Sequence, residues 1–313
     1  MKKSTLYFFS IIALLYVVSA AFSGQAIYNQ SKRYAENKQD YVNVLNFEDR
    51  LLNIEEWIYT GSKWDDRDLA SKEKLENSEM YYSVEKKYSY CFIAESIAFI
   101  VIVLIVYCGG VNLCKALGLA IITIALACLI IGVITPMLEI SAYSTNLTIP
   151  LKFSVPLIGE VDIPDKVFEG RMYYYYQSKS VLDLINVLFE SKNYVVAVSI
   201  FGFSVLVPFI KLTLSVLLLL SRPFRNSGFV KKTVGKIGKW SMADVFVVAT
   251  FLSYLSFSNM NSGIDTEAKT LVGLYFFLAY CILSIASSQI IELAVKKKKE
   301  IMPKTDKLKA VSE

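Results

Sequence analysis

The sequence contains no histidine, and its five cysteines are poorly spaced for binding a metal. No two of them form a CxxC pair, and all lie in or beside apolar runs, so we interpret them as small hydrophobic side chains. They are Cys91, Cys108, Cys114, Cys128 and Cys281. A zinc or haem site would have almost no ligands to use. We therefore expect no metal and no cofactor.

The motifs of common enzyme sites are also missing. The chain has no Walker motif and no nucleophile elbow, and its apolar runs contain no clustered pair of acids. A membrane-embedded enzyme acting on lipids or quinones is thus the weakest hypothesis for its function, and we expect no enzymatic activity. Without a nucleotide site, any energy input must come from a partner, the proton gradient or downhill flow.

Long apolar runs, by contrast, are abundant, and 54% of the residues are hydrophobic. This composition predicts an all-α polytopic membrane protein with about six transmembrane helices. The six predicted spans are Thr5 to Gly24, Tyr90 to Tyr107, Ala116 to Ile140, Val195 to Leu220, Ala243 to Phe257 and Leu271 to Val295.

Basic residues flank these spans on one side, which the positive-inside rule makes the cytoplasm. They are Lys2, Lys3, Lys115, Arg222, Arg225, Lys231, Lys232, Lys236, Lys239 and the run Lys296 to Lys299. The first span has two interpretations. It resembles a secretory signal with a small-residue cleavage site at Val18-Ser19-Ala20, but the uncharged stretch continues to Ser31, which favours a retained anchor.

The segment from Tyr28 to Ser89 is charged yet periodic, and it is predicted to form an antiparallel helical hairpin outside the cytoplasm. Thr60-Gly61-Ser62 would form its turn. We expect a short coiled-coil seam with arms of about 40 Å. The predicted seam residues are Val44, Phe47, Leu51, Ile54 and Ile58.

A second outer region predicts a small sheet. Leu147 to Val155 alternates like a strand, and Met172 to Tyr176 is aromatic and β-prone. Ser180 then caps a predicted interfacial helix, Val181 to Glu190. The four tyrosines from Tyr173 could form an aromatic belt or pair across strands, and both interpretations stay open.

The charged residues within the predicted spans include Lys211 and Asp244. Lys211 lies about 15 Å in from Ser221, and Asp244 lies about 6 Å along the helix from Trp240. Intramembrane charges are costly without a partner, so we predict that the two side chains form a pair. An equally weighted interpretation is that Asp244 only starts its helix by complementing the dipole.

Two prolines fall within predicted spans, and Pro208 lies three residues before Lys211. Pro136 and Pro208 cannot donate an amide and should free the carbonyls of Gly132 and Ser204. Kinked helices beside a buried cation indicate a polar path, although many prolines in membrane helices are kinks without function. The predicted path residues are Lys211, Asp244, Pro208, Pro136, Ser204 and Glu139.

A basic amphipathic segment from Phe229 to Trp240 should lie on anionic lipid at the cytoplasmic surface. Its position next to the membrane makes lipid a nearer partner than nucleic acid, and we expect no nucleic-acid binding. The residues concerned are Lys231, Lys232, Lys236 and Lys239.

Three strings resemble the four-helix unit of the paraquat-inducible protein A family. They are Thr135 to Leu138, Phe203 to Leu212 and, as the most specific, Trp240-Ser241-Met242-Ala243-Asp244-Val245-Phe246. The resemblance extends from about Asn112 to Val295. It implies a multi-pass protein of the cell inner membrane with a tetraspanin-like four-helix arrangement and an outer β element.

The resemblance also implies a role in envelope lipid trafficking, with membrane lipids and a tunnel-forming partner that carries mammalian-cell-entry domains. Family members commonly carry two such units and cysteine-rich zinc ribbons. This chain has one unit and no CxxC pair, so zinc binding is not carried over, and homo-oligomerisation is left open.

The predicted domains are therefore an N-terminal part with the hairpin and second span (1–110), a four-helix membrane unit (111–295) and a basic cytoplasmic tail (296–313). Two functional hypotheses remain ahead of an enzyme. One is a membrane subunit that passes lipid or another amphipathic molecule to its partner. The other is a membrane scaffold or sensor that uses the hairpin as its input and transports nothing.

Overall fold

A computed structural model describes residues 3–58, 62–108, 113–150, 152–155, 159–162, 165–220 and 264–309. Five of the helices in these ranges are long and apolar enough to cross a membrane. The prediction of an all-α polytopic membrane protein with a small sheet is confirmed. The predicted span Ala243 to Phe257 lies outside the described residues.

The helices, in chain order, are α1 (Lys3–Val44), α2 (Phe47–Leu52), α3 (Ile54–Ile58), α4 (Ser62–Tyr107), α5 (Leu113–Ile134), α6 (Val181–Glu190), α7 (Tyr194–Phe201), α8 (Val207–Leu220) and α9 (Val272–Lys309). A π-helical segment, Gly202–Leu206, joins α7 to α8. The strands are β1 (Leu138–Ile149), β2 (Lys152–Val155), β3 (Gly159–Asp162), β4 (Lys166–Lys179) and β5 (Asp265–Thr270).

Helices α1 and α4 form the predicted hairpin. With 42 and 46 residues they are about 63 Å and 69 Å long, roughly twice the thickness of the hydrocarbon core. Residues 4–31 of α1, which are uncharged, and residues 88–107 of α4, whose only charged residue is Glu95, therefore contain the membrane-spanning parts. The charged remainders project outside, where α2 and α3 form the tip of the hairpin.

The contact between α1 and α4 uses a different seam from the predicted one. The chain breaks at Leu45 and Asn46, and Ile54 and Ile58 are largely exposed, so that part of the prediction was wrong. The buried residues recur every three, four or seven positions and continue into the membrane. They are Phe9, Tyr16, Ala20, Ser23, Ile27, Ser31, Tyr34 and Tyr41 on α1, and Ser71, Ser78, Glu85, Phe92, Ser96, Phe99, Val103 and Tyr107 on α4; Gly24 and Val42, each next to one of these, are buried as well.

Arg50 fastens the tip of the hairpin to β4. Its side chain is buried and donates from Nε to the Glu56 carboxylate at 3.0 Å, from Nη1 to the Arg171 carbonyl at 3.1 Å, and from Nη2 to the Glu169 carbonyl at 3.0 Å. Arg67 forms a second ion pair with Glu56 at 2.6 Å. Because every arm of the guanidinium has an acceptor, the tip is held in one orientation on the sheet.

The outer sheet joins three separate parts of the chain. Its strand order is β4-β1-β5, with both pairings antiparallel, and β2 pairs with β3 in a separate hairpin. The sequence indicated strands near Leu147 and Met172 but not β5. The short polar segment Asp265–Thr270 lacks the β-branched alternation that marks a strand, and pairing with β1 makes it one.

The predicted third span was too long, since α5 ends at Ile134 and β1 begins at Leu138. Pro136 therefore terminates the helix instead of kinking it. The Pro136 carbonyl accepts from the Gly273 amide at 3.1 Å. The Met137 amide donates to the Lys179 carbonyl, and the Met137 carbonyl accepts from the Leu271 amide. These bonds anchor the outer end of α5 to β4 and α9.

Helices α5 and α9 pack at close range through glycine. A Cβ atom added at Gly132 would lie 2.7 Å from the Phe277 backbone nitrogen, and one at Gly273 would lie 2.5 Å from the Thr135 carbonyl oxygen. Small residues let membrane helices approach one another this closely. Helix α8 packs against both members of this pair.

Candidate functional site

Four residues with polar or backbone-breaking character lie on one buried face of the helix that crosses the membrane from Tyr194 to Leu220. Ser204, Pro208, Lys211 and Ser215 follow one another at intervals of four, three and four residues, which places them on a single face. Lys211 is only 4% exposed although it carries an ammonium group. We call these four residues the inner face.

Lys211 lies deep along this helix. It is nine residues from Leu220, which corresponds to about 14 Å at 1.5 Å per residue. The segment faces α5 and α9, both of which are strongly apolar. A cation at this depth normally marks a substrate or ion pathway or a paired buried charge.

The backbone next to Lys211 is widened into π geometry. The Val207 amide donates to the Gly202 carbonyl, five residues back, and Pro208 has no amide with which to satisfy the Ser204 carbonyl. The Ser204 hydroxyl is buried and has no hydrogen-bond partner among the described residues. Single π turns in helices are frequent at functional sites.

A second polar group, the outer cluster, lies where the hairpin meets the sheet and comprises Tyr34, Tyr82, Glu85, Glu139 and Lys269. Glu139 is 6% exposed and accepts a hydrogen bond from the Tyr34 hydroxyl at 2.5 Å. That hydroxyl accepts in turn from Lys269 Nζ at 3.3 Å. The Lys269 ammonium also lies 4.3 Å from the centre of the Tyr82 ring, a cation–π contact.

The register of β1 and β5 explains how Glu139 and Lys269 meet. The two residues are direct partners across the strands, so their side chains leave the sheet on the same side. That side faces Tyr34 of α1. A carboxylate and an ammonium are thus joined by a phenol outside the spans, where the hairpin covers them.

Burial shifts the ionisation of the groups around the outer cluster. Burial and the neighbouring Glu139 carboxylate raise the pKa of the Tyr34 phenol, and burial lowers the pKa of Lys38 although Glu139 opposes this. Burial raises the pKa of Glu85 to about 7, against the opposing influence of Ser31 and Lys269.

The predicted path residues do not form one site. Ser204, Pro208 and Lys211 lie together on the inner face, whereas Glu139 is in the outer cluster on a strand and not on a transmembrane helix. Pro136 lies at the junction of α5 and β1 and belongs to neither group. Asp244 lies outside the described residues, so its pairing with Lys211 stays a prediction.

Metal binding finds no support in the described part of the chain, where no group of three or more Cys, Asp or Glu side chains could hold an ion. The outer cluster contains two acids, but Glu139 is already engaged by Tyr34. The inner face carries hydroxyls and an ammonium. These are donors for an anionic or polar group and do not form the ligand set of a cation.

A comparison with protein families matches one part of the chain. The family model of paraquat-inducible protein A matches residues 167–294. This segment belongs to that family. No curated protein matches the chain.

The paraquat-inducible protein A segment contains the whole inner face and Lys269 of the outer cluster. It begins within β4, so it does not reach Asn112, where the sequence resemblance was placed. Of the three strings behind that resemblance, Thr135 to Leu138 lies before the segment. The string from Trp240 to Phe246 lies within it.

Several predicted residues of the paraquat-inducible protein A segment are outside the described residues. They are the family-motif residues Trp240, Ser241, Met242, Asp244, Val245 and Phe246 and the surface lysines Lys231, Lys232, Lys236 and Lys239.

The residues that complete the outer cluster were missed from the sequence. Tyr34, Tyr82 and Glu85 come from the hairpin, which precedes the paraquat-inducible protein A segment. A signal was present at Glu85, which falls on the same seven-residue repeat as Ser71, Ser78 and Phe92. That repeat marks the buried side of α4, and an acid on it is exceptional.

Proposed function

We propose that the chain is the integral inner-membrane subunit of an envelope lipid-transport system. It would pass lipid or another amphipathic molecule between the membrane and a tunnel-forming partner with mammalian-cell-entry domains. The observation that carries this proposal is Lys211, a buried cation deep in a span. It lies on the same face as the Ser204 hydroxyl, which finds no hydrogen-bond partner in the part of the chain that the structure describes. Membership of residues 167–294 in the paraquat-inducible protein A family agrees with a membrane role.

The inner face offers what a lipid headgroup needs. An ammonium attracts a phosphate, and a free hydroxyl donates a hydrogen bond to one of its oxygens. Residues on the opposite side of the same helix are apolar and exposed, among them Phe203, Leu206 and Phe209. Acyl chains could remain on that side while the headgroup contacts Lys211 and Ser204.

The outer cluster supports an exit on the extracytoplasmic side. Lys269 and Lys38 place two cations close to Glu139, so the local charge is suited to an anionic headgroup. Lys269 and Lys211 both lie in the family segment. In this proposal Lys211 binds the headgroup within the membrane and the outer cluster receives it at the surface.

A photo-crosslinker at Ser204 tests the proposal directly. The full chain would be placed in nanodiscs that contain one anionic and one zwitterionic phospholipid. We expect the buried position to capture lipid enriched in the anionic species, and Lys211→Met to abolish that enrichment. A crosslinker at Phe203, which is 42% exposed, is the matched control and should report only the bulk composition. If folded protein with the crosslinker at Ser204 carries no lipid adduct, the result would argue against transport.

The alternative is a membrane scaffold or sensor with an extracytoplasmic helical input and no transport. One observation favours it: Arg50 couples the tip of the hairpin to β4, which leads through α6 into the spans. A sensor should tolerate Lys211→Met, and a lipid path should not. We expect Lys211→Met and Asp244→Asn to impair resistance to detergents and bile salts at normal protein abundance, and unchanged resistance in both would favour the sensor.

A further inference from the structure

Three large apolar side chains are exposed at the tip of the hairpin. Leu52 is 78% exposed, Ile54 71% and Ile58 65%. Ile54 and Ile58 are one turn apart on α3 and share a face, and Leu52 precedes them by a single connecting residue, Asn53. Single exposed apolar residues are ordinary, but three on one short stretch form a patch.

This patch is too far from the membrane to be covered by its lipid. The helix α1 continues from Ser31 to Val44 beyond its uncharged part, which corresponds to about 20 Å. The tip follows directly after Val44. A surface at that distance meets proteins of the extracytoplasmic space.

The patch is also rigidly presented. Asn53 accepts from the Glu55 amide and begins α3, while Trp57 donates from its ring nitrogen to the Leu51 carbonyl at 2.7 Å. The Lys166 ammonium contacts the carbonyls of Glu56 and Trp57, which ties α3 to β4. A surface held in place before binding loses little entropy when a partner arrives.

Among the described side chains of the tip, the exposed charges have one sign. At the tip, residues 47–58 and 64–70, every described side chain that is both charged and exposed is acidic: Glu48, Asp49, Glu55, Asp65 and Asp66. The two arginines of the tip make contacts within the protein, since Arg50 is buried and Arg67 pairs with Glu56. The tip therefore presents an apolar centre with an acidic border.

We propose that the tip docks a protein whose complementary surface has an apolar centre and a basic border. Charge complementarity selects this partner, because opposite potentials speed association and reject other surfaces. An anionic membrane surface would be repelled by the acids. A two-fold contact with a second copy would place the same acidic border against itself. The docking surface does not depend on lipid transport at Lys211.

The experiment places a photo-crosslinker at Ile54 of the full chain in native membranes, with Met80, an exposed apolar residue on the shaft of α4, as the control position. We expect one discrete protein adduct at Ile54 and none at Met80. The captured protein is then purified, and its binding to the full chain in nanodiscs is measured at two salt concentrations.

Two variants decide the result. Ile54→Ser with Ile58→Ser should weaken binding about tenfold or more, because anchors at the centre of an interface carry most of the affinity. Glu48→Lys with Asp49→Lys should slow association at low salt, and acidic substitutions at the basic border of the partner should restore it. Glu73→Lys with Glu76→Lys, on the shaft, should change neither.

Four outcomes would overturn the proposal: adducts only with a second copy of this chain, adducts only with lipid, no adduct at all in folded protein, or binding that the charge exchange does not restore. A failure at Ile54 with lipid still captured at Ser204 would remove the docking surface and leave the transport proposal intact.

Discussion

The Arg50 clamp allows a quantitative prediction. Arg50→Met keeps much of the apolar stem but removes three donated hydrogen bonds, one to a buried carboxylate and two to β4 carbonyls. Breaking a buried ion pair costs about 3–5 kcal/mol when the other charge is left alone. Arg67 stays beside Glu56 at 2.6 Å, so we expect the lower end, about 3 kcal/mol.

Hydrogen exchange followed by mass spectrometry in nanodiscs measures this effect. A loss of about 3 kcal/mol corresponds to roughly a hundredfold faster exchange wherever the tip must open for exchange to occur. We expect that acceleration in residues 47–58 and in the facing part of β4, 166–173. The membrane-spanning parts of α1 and α4 have their own seam and should keep their protection.

Lys72→Met is the matched control, because Lys72 pairs with Asp68 on the exposed surface of the same hairpin and solvent screens such a pair. It should leave exchange at the tip unchanged. Equal protection in Arg50→Met and the wild type would refute the clamp. If exchange became faster evenly over the membrane-spanning parts, Arg50 would stabilise the whole molecule and not specifically the contact of the tip with β4.

Three further predictions concern packing and ionisation. Gly132→Ala should lower the free energy of unfolding by about 1–3 kcal/mol, because its new methyl group would lie 2.7 Å from the backbone of α9. Gly118→Ala should cost much less, because its methyl meets a movable Leu side chain at 3.2 Å, and equal melting temperatures for the two variants would contradict this. Because burial raises the pKa of Glu85 from its ordinary 4.5 to about 7, the folded state holds more protons between these values, so stability should fall as pH rises from 4.5 to 7 and then level off. Glu85→Gln should flatten that profile, and a slope that persists would assign it to another group. Tyr34→Phe leaves the Glu139 carboxylate without its phenol donor and should cost about 1–3 kcal/mol, with a smaller loss when Glu139→Gln is also present; additive losses in a double-mutant cycle would show that the two side chains are not coupled.

The inner face shows how much of a site a sequence can reveal. Lys211 stands out because it interrupts a long apolar run, and Pro208 indicates that the backbone around Ser204 is irregular. Both signals are local, since they depend only on neighbours along one helix. The same reasoning went wrong at Pro136, where the apolar pattern continues into β1 and does not show that the helix has ended.

The outer cluster could not be read in this way. Lys269 lies in a short polar segment that becomes a strand only by pairing with β1, and Tyr34 reaches Glu139 across 105 positions of the chain. The seam of the hairpin was misplaced for a related reason. Val44 to Ile58 has the spacing of a helix, but Asn46 and Asn53 begin new helices, and the tip turns to dock on β4.

Hydrophobic runs, flanking lysines and a family motif determined from sequence alone that this is a multi-pass membrane protein with a helical hairpin and a small outer sheet. The hydrocarbon of a bilayer excludes charges and unpaired backbone groups. Each span must therefore be apolar and helical along its own length, and its own sequence shows this. Only the tertiary structure decided where the strands pair, which carboxyl meets which ammonium, and which apolar residues remain exposed at the tip. These depend on contacts between distant segments, for which no stretch of the chain carries a signal by itself.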